Sequence, residues 1–270
     1  MNTTTLGDRM KQYEALADQK LMPRLPVILR LDGKGFHAWT KGCKRPYDER
    51  LQNLMDEVTK KLVEETHSLV GYTQSDEITL ILWNPEPKAE PYFGGRVNKL
   101  NSVAASMASA WFNRLVPDYL PEKTKLAYFD CRAFAVPSMI EAVNCLIFRE
   151  LDATKNAVSM AAQSMFSHAE LQHKNGSEMQ EMMFNDKRVN FNDYPSRFKR
   201  GAYFKKQLLI RKFTAEELEN LPEKHGARKN PDLLITRSVI TKLELPPILK
   251  IKNPIEVFFE GKEVELYSEA

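Results

Sequence analysis

Apolar positions recur at two spacings along this chain, and the switches between them mark its elements. Leu6, Met10, Tyr13 and Ala17 fall three or four apart, which predicts an amphipathic helix over residues 6–19. Pro23 and Pro26 end that pattern. Val27-Ile28-Leu29-Arg30-Leu31 reads as a short apolar strand running into Asp32-Gly33, and Gly33, Gly35 and Gly42 mark a loop. Leu51, Leu54, Met55, Val58 and Leu62 give residues 48–66 one apolar helical face. Two β-prone runs, 69–73 and 78–83, flank the polar tetrad Gln74-Ser75-Asp76-Glu77 and predict a hairpin. A Pro-rich loop follows over 84–91. Residues 98–116 predict a helix with Leu100, Val103, Ala104, Met107, Trp111 and Leu115 on one face. Its small residues (Ala104, Ala105, Ala108, Ala110) allow close approach to a sheet. Residues 126–134 are again strand-like, and Pro137 opens a helical stretch over 138–166.

The order over 26–135 is β-α-β-β-α-β, the ferredoxin-like arrangement: an α+β palm with both helices on one face of a four-stranded antiparallel sheet. Beyond it, residues 167–195 are polar with several helix formers. Thr214-Ala215-Glu216-Glu217 predicts a capping box at the start of a short helix. Residues 222–232 read as an exposed loop, and 244–268 as short strands. The expected division is a palm over 1–135 and a helical and β region over 136–270 packed on it.

Composition narrows the function classes. The chain has 270 residues, 43% hydrophobic and 28% charged, and no apolar run long enough to span a bilayer. Met1-Asn2-Thr3-Thr4-Thr5 lacks the basic start and apolar core of a signal peptide, so a cytoplasmic protein is expected. Cys43, Cys131 and Cys145 form no CxxC pair, which argues against disulfides and structural zinc. His168 and His173 are five apart and do not share a helix face well. The net charge of +3 is modest, but Pro195–Lys212 holds seven basic residues and no acidic one. Arg197, Lys199, Arg200, Lys205 and Lys206 alternate there with Phe198, Tyr203 and Phe204. Such a stretch suits a surface that follows a phosphate backbone. It equally suits a solvated edge strand guarded by lysine.

Candidate chemistry gathers at one edge of the expected sheet. Asp32 ends the first strand, and Asp76 and Glu77 sit at the hairpin turn between the next two. Carboxylates so placed suit two Mg²⁺ ions, which prefer oxygen ligands and clamp the attacking and leaving oxygens of a phosphoryl transfer. The Gly33 carbonyl is a further ligand candidate. Lys34, Lys44, Arg45, Arg96 and Lys99 are cations able to face a triphosphate, the last two at a helix start that favours anions. Trp39, Trp83 and Trp111 read as core or packing residues sooner than as base-stacking platforms, and Trp39, on the loop, is the one to test for stacking; His37, close after Asp32, reads as a substrate contact or a hydrogen-bonded loop histidine.

Three spaced motifs resemble the tRNA(His) guanylyltransferase family: Arg30-Leu31-Asp32-Gly33-Lys34-Gly35-Phe36-His37, Gly71-Tyr72-Thr73-Gln74-Ser75-Asp76-Glu77, and Phe93-Gly94-Gly95-Arg96-Val97-Asn98-Lys99-Leu100. Phe129-Asp130-Cys131-Arg132 is similar to the family's later strand. The resemblance is clear over residues 6–135 and fades to scattered matches up to about 212. It implies a polymerase-like palm that works in the 3′-to-5′ direction. A tRNA 5′-phosphate is activated with ATP or GTP, and the 3′-hydroxyl of an incoming nucleotide attacks the activated end. It implies metal ligation by Asp32, the Gly33 carbonyl and Asp76, with Glu77 as a further required carboxylate. It places Lys34, Gly35, Phe36, His37, Arg45, Asp48, Ser75, Arg96 and Lys99 at the nucleotide. It places Arg149 and Asn156, beside the basic stretch of Arg197, Lys199, Arg200, Lys205 and Lys206, at the tRNA. Family members are usually homotetramers. The His-Ile-Asn-Asn run of eukaryotic members is replaced by Phe148-Arg149-Glu150-Leu151-Asp152-Ala153-Thr154-Lys155-Asn156, which has no histidine. In this the chain resembles the bacterial, archaeal or phage branch, associated with template-dependent repair of tRNA 5′ ends.

Two rival readings use the same residues. A cyclase-like palm enzyme would need the carboxylates but no tRNA surface. A non-catalytic tRNA-binding module would need the surface but not the carboxylates.

Overall fold

The computed structural model describes residues 5–230 and 232–267, so the signal-peptide expectation at Met1–Thr4 lies outside the described residues. In chain order the first half reads α1 (Leu6–Leu16), β1 (Val27–Gly33), α2 (Phe36–Trp39), α3 (Glu49–Thr66), β2 (Val70–Gln74), β3 (Glu77–Leu82), α4 (Val97–Tyr119) and β4 (Phe129–Ala135). The second half adds α5 (Met139–Gln163), α6 (His168–Leu171), α7 (Gly176–Lys187), α8 (Ser196–Arg200), β5 (Ala202–Lys212), α9 (Ala215–Asn220), α10 (Gly226–Lys229) and β6 (Leu234–Leu243). The strand order is β4-β1-β3-β2-β5-β6. Its first four strands are the expected ferredoxin-like sheet, and every neighbouring pair is antiparallel.

Two layers of side chains cover the sheet. On one face Leu29, Leu31, Ile78 and Leu80 meet Leu54, Met55, Val58 and Leu62 of α3 and Leu100, Ala104, Ala108, Phe112 and Val116 of α4. Those α4 positions repeat every four residues, so the fully buried stripe runs through Ala104 and Ala108, with Met107, Trp111 and Leu115 of the expected face partly buried at its flank. On the other face Ile28, Val70, Tyr72 and Ile81 receive Ala142, Val143 and Leu146 of α5. Burying a leucine or isoleucine side chain contributes about 1.5–3 kcal/mol, so these two layers dominate stability.

Four expectations change. The hairpin turn is two residues, Ser75 and Asp76, and Glu77 is already in β3, paired with both Gln74 and Asp32. The basic stretch is not one strand: it breaks at Gly201 into α8 and β5, and β5 lies between β2 and β6 over Ala202–Lys205 but pairs with β6 alone beyond that. The sheet therefore continues past residue 135 into the C-terminal region. Residues 244–267 hold short helical turns and one isolated bridge, Ile251 to Leu266, where strands were expected. The additional strand is 234–243, whose apolar and polar residues alternate poorly because much of it is solvated on both faces. Finally, α1 buries none of its residues: Leu6, Tyr13 and Leu16 are 66%, 65% and 85% exposed.

The α8–β5 junction depends on one glycine. Gly201 has φ of +79°, and a Cβ there would sit 2.6 Å from the Thr73 carbonyl oxygen and 2.7 Å from the Tyr72 ring. Tyr72 is itself fixed, its hydroxyl donating to the Arg200 carbonyl at 2.9 Å. Gly201→Ala is expected to destabilise the protein by about 2–3 kcal/mol in urea unfolding, by strain and by forcing β5 off β2.

Candidate active site at the carboxylate rim of the sheet

Antiparallel pairing builds the site. Asp32 lies opposite Glu77 on one side and Asp130 on the other, so three carboxylates share one face in adjacent strands about 4.8 Å apart. Asp76 adds a fourth from the turn. This charge is held in a partly desolvated place. Burial, then repulsion from Glu77 and Asp130, raises the Asp32 carboxyl, while Arg30 and Arg132 oppose the rise. Burial, aided by repulsion from Asp32 and Glu77, pushes Asp76 up to about 6 even though Ser75 Oγ donates to its Oδ1 at 3.0 Å. Crowded carboxylates that resist ionisation suit a divalent cation. Hard oxygen donors from Asp32, Asp76 and the Gly33 carbonyl fit Mg²⁺, with water and substrate phosphates completing its shell. Among the described residues, no group of three His, Cys, Asp or Glu side chains converges as a closed metal nest.

Glu77, expected as a further required carboxylate beside the metal ligands, is bound by protein groups. Its Oε1 accepts from Arg30 Nη2 at 2.8 Å and its Oε2 from Arg149 Nη1 at 2.7 Å. Both oxygens face guanidinium groups rather than an open cation site.

The loop after β1 is split between core and solvent. Phe36 is 4% exposed and packs on Trp39, Phe112 and Phe129 at ring separations of 5.2–5.5 Å. Trp39 is likewise buried and its Nε1 donates to the Lys125 carbonyl at 2.8 Å. Neither ring is free to stack on a base, because together they close the core beneath the carboxylates. Gly33 is required there: a Cβ would fall 2.3 Å from the Phe36 ring. Lys34, Gly35 and His37 are exposed above it. Among the described residues, the backbone N–H groups of Gly35, Phe36 and His37 have no protein acceptor.

Asp48 caps α3 beside this loop. Its carboxylate accepts from the Arg50 N–H at 3.0 Å, from Arg50 Nη2 at 2.8 Å and from the Lys44 N–H at 3.1 Å. It is thus committed to holding the 44–50 segment, which carries the exposed Arg45. A cleft of about 50 Å³ lies between Tyr47, Asp48, Gln52, Gln74 and Ser75, joining this segment to the β2–β3 turn.

Other expected residues are not brought together. β3 runs away from the Asp76 turn, so the helix that follows starts at the opposite rim. Arg96 and Lys99 begin α4 there, where Leu100 lines a cavity of about 270 Å³ with Val27 and Leu82, the remote ends of β1 and β3. β1 alone separates the rims by roughly 20 Å. Within one chain these two cations do not reach the carboxylates. Arg197 turns inward, its Nε donating to Asp56 at 2.7 Å, and Lys205 is buried with Nζ donating to the Val257 carbonyl at 3.1 Å. Lys199 donates to the Asn192 carbonyl and Arg200 to Ser196. Lys206 and Asn156 are exposed.

Arg30 and Asp130 were missed as site residues. The signal for Arg30 was its position two before Asp32, on the same strand face. Asp130 needed the β1–β4 register, which the sequence does not state.

Comparison with known proteins bears on this rim. The model of the Thg1 family, tRNA(His) guanylyltransferase, matches residues 7–137. A bacterial tRNA(His) guanylyltransferase (Thg1)-like protein in complex with ATP is 36% identical, with a TM-score of 0.79, over 94% of this chain and 99% of that one. A structure of such a bacterial protein in complex with GTP is 33% identical, with a TM-score of 0.71, over the same shares. The tRNA(His) guanylyltransferase of Saccharomyces cerevisiae is 26% identical over 211 residues, 72% of this chain and 86% of the yeast protein.

Asp48 offers a check on the local architecture. The side-chain hydrogen bond from Arg50 comes first among the causes that lower its carboxyl to about 2. A depressed folded value stabilises the protein above the ordinary aspartate range, near 3.8, and that contribution is lost as pH falls toward 2. Asp48→Ala should cost about 1 kcal/mol at pH 7 from the lost cap. The difference between variant and parent in thermal melting should shrink between pH 4 and pH 2.

Proposed function

The chain belongs to the tRNA(His) guanylyltransferase family, and from that premise we propose that it is a nucleotidyltransferase adding nucleotides to the 5′ end of tRNA in the 3′-to-5′ direction. The substrates are ATP, GTP and tRNA, and the cofactor is a pair of Mg²⁺ ions. One observation carries the reading: Asp32 and Asp76 meet at the rim of a palm sheet with raised carboxyl pKa values, a charge arrangement suited to metal and triphosphate. Asp32, Asp76 and the Gly33 carbonyl would hold the ions, which when bound supply a clamp for the attacking and leaving oxygens.

The chain's own residues do the positioning. Ser75 orients Asp76 and lies exposed toward a phosphate. Lys34, Arg45 and the unpaired N–H groups of Gly35, Phe36 and His37 offer donors to a triphosphate over the loop after β1. The buried Phe36 and Trp39 keep that loop's floor dry. Exposed Lys206 and Asn156, with half-buried Lys199 and Arg200, serve the tRNA backbone. The absence of histidine from 148–156 favours templated repair of truncated 5′ ends over a role confined to tRNA(His). We place the protein in the cytoplasm as a homotetramer. Two features support assembly: the apolar face of α1 is uncovered in the single chain, and Arg96 and Lys99 are too remote for their own site, so they serve that of a neighbouring copy.

The test is incubation of truncated and full-length tRNAs with labelled nucleoside triphosphates. Template-matched, Mg²⁺-dependent addition to several truncated tRNAs is expected, with loss on chelation by EDTA. Asp32→Ala and Asp76→Ala should lower addition by about a hundredfold or more while the far-ultraviolet circular dichroism stays unchanged. Cyclic nucleotide formed from ATP or GTP alone, or tight tRNA binding without incorporation, would sink the reading.

A further inference from the structure

Glu77 is occupied by protein before any ligand arrives, and its partners lead away from the carboxylates. Arg30 comes from β1 and Arg149 from α5, each about 2.8 Å or less from one Glu77 oxygen. Arg149 reaches further: its Nη2 lies 3.4 Å from Asp152 Oδ2, and Asp152 in turn accepts from Asn156 Nδ2 at 3.4 Å. Positions 149, 152 and 156 follow helical spacing, so they form one stripe along α5. The row runs from the buried Arg149, with a side chain 8% exposed, out to the exposed Asn156. It joins β1, β3 and the outer side of α5.

We propose that Arg149 is a positioning residue which, through Glu77, fixes the Asp152–Asn156 stripe of α5 in register with Asp32 and Asp76, so that an RNA end held along α5 meets the carboxylates. The role rests on reading Asp32 and Asp76 as the metal-binding pair.

Three physical points support it. First, a carboxylate with both oxygens paired to guanidinium groups is a poor cation ligand, because an approaching divalent ion meets two positive charges at bonding distance. Glu77 is therefore suited to anchoring rather than ligation. Second, α5 packs on the sheet through Ala142, Val143 and Leu146, and apolar contact is non-directional. A planar guanidinium bridging two carboxylates is directional and sets the position along the strand. Third, the bridge is not built for stability alone. Among the described residues, the buried Nε atoms of Arg30 and Arg149 have no hydrogen-bond partner, so desolvating them is uncompensated. The arrangement trades that cost for geometry.

The experiment compares Arg149→Met, Arg149→Lys, Glu77→Gln and Asp32→Asn in the full-length protein. Mn²⁺ binding is read by electron paramagnetic resonance, and nucleotide addition to a truncated tRNA by steady-state kinetics. Mn²⁺ affinity should stay within about threefold for Glu77→Gln and both Arg149 variants, and fall about tenfold or more in Asp32→Asn. kcat should fall about tenfold in Arg149→Met and in Glu77→Gln with KM for the nucleotide unchanged, and a double variant combining Arg149→Met with Glu77→Gln should be no slower than the slower single one. Arg149→Lys keeps the buried charge but not the fork, and should lose at least about threefold in kcat; it carries the test if Arg149→Met does not fold. Glu77→Gln weakening Mn²⁺ binding as much as Asp32→Asn would overturn the role, as would multiplicative losses in the double variant or an undiminished kcat in Arg149→Lys. Unchanged Mn²⁺ binding in Asp32→Asn would instead overturn the metal reading, and this role with it.

Discussion

Antiparallel pairing of β1 with β3 sets Asp32 directly across from Glu77, and Asp130 falls beside Asp32 on the next strand. Uncompensated, such crowding of negative charge at a partly buried rim opposes folding. The fold answers it in two ways. Arg30, Arg132 and Arg149 come from within the sheet and from α5 to offset part of the charge. The remainder, on Asp32 and Asp76, leaves carboxyl groups poised to accept a cation. The same register thus accounts for the tension at the rim and for the chemical use proposed for it.

The core beneath is arranged to keep that register fixed. Period-two side chains of β1 and β3 send Leu29, Leu31, Ile78 and Leu80 to the α3–α4 layer, and a slip by one residue would turn them out and the carboxylates in. Phe36 and Trp39 extend this layer under the loop that follows Asp32, so the loop rests on an aromatic floor. Residues whose place in a motif suggests ligand contact thereby do structural work, and their backbone, rather than their rings, faces the site.

Helix direction divides the cations. A helix after β1 begins at the carboxylate rim, which puts Asp48 and Arg45 nearby. A helix after β3 begins at the other rim, which removes Arg96 and Lys99. The basic stretch is divided again by burial: Arg197 and Lys205 neutralise or bond interior groups, while Lys206 stays in solvent. Positive charge along the sequence is therefore a poor guide to positive charge on the surface.

The palm was legible from the sequence because its signals are local. Apolar spacing, Pro and Gly breakers and the polar tetrad at 74–77 each act over a few residues, and together they define the β-α-β-β-α-β order and bring Asp32 and Asp76 to one edge. The spaced motifs carried the family resemblance for the same reason. What the tertiary structure decided depends on contacts between residues far apart in the chain. The two guanidinium groups on Glu77 come from positions 47 and 72 residues away. The inward turn of Arg197 needs Asp56, 141 residues distant. β5 and β6 carry weak alternation because much of their length is solvated on both faces, so their place in the sheet is revealed only by the pairing of β5 with β2 and of β6 with β5. Periodicity fixes which face a side chain takes; only the folded chain decides what meets it there.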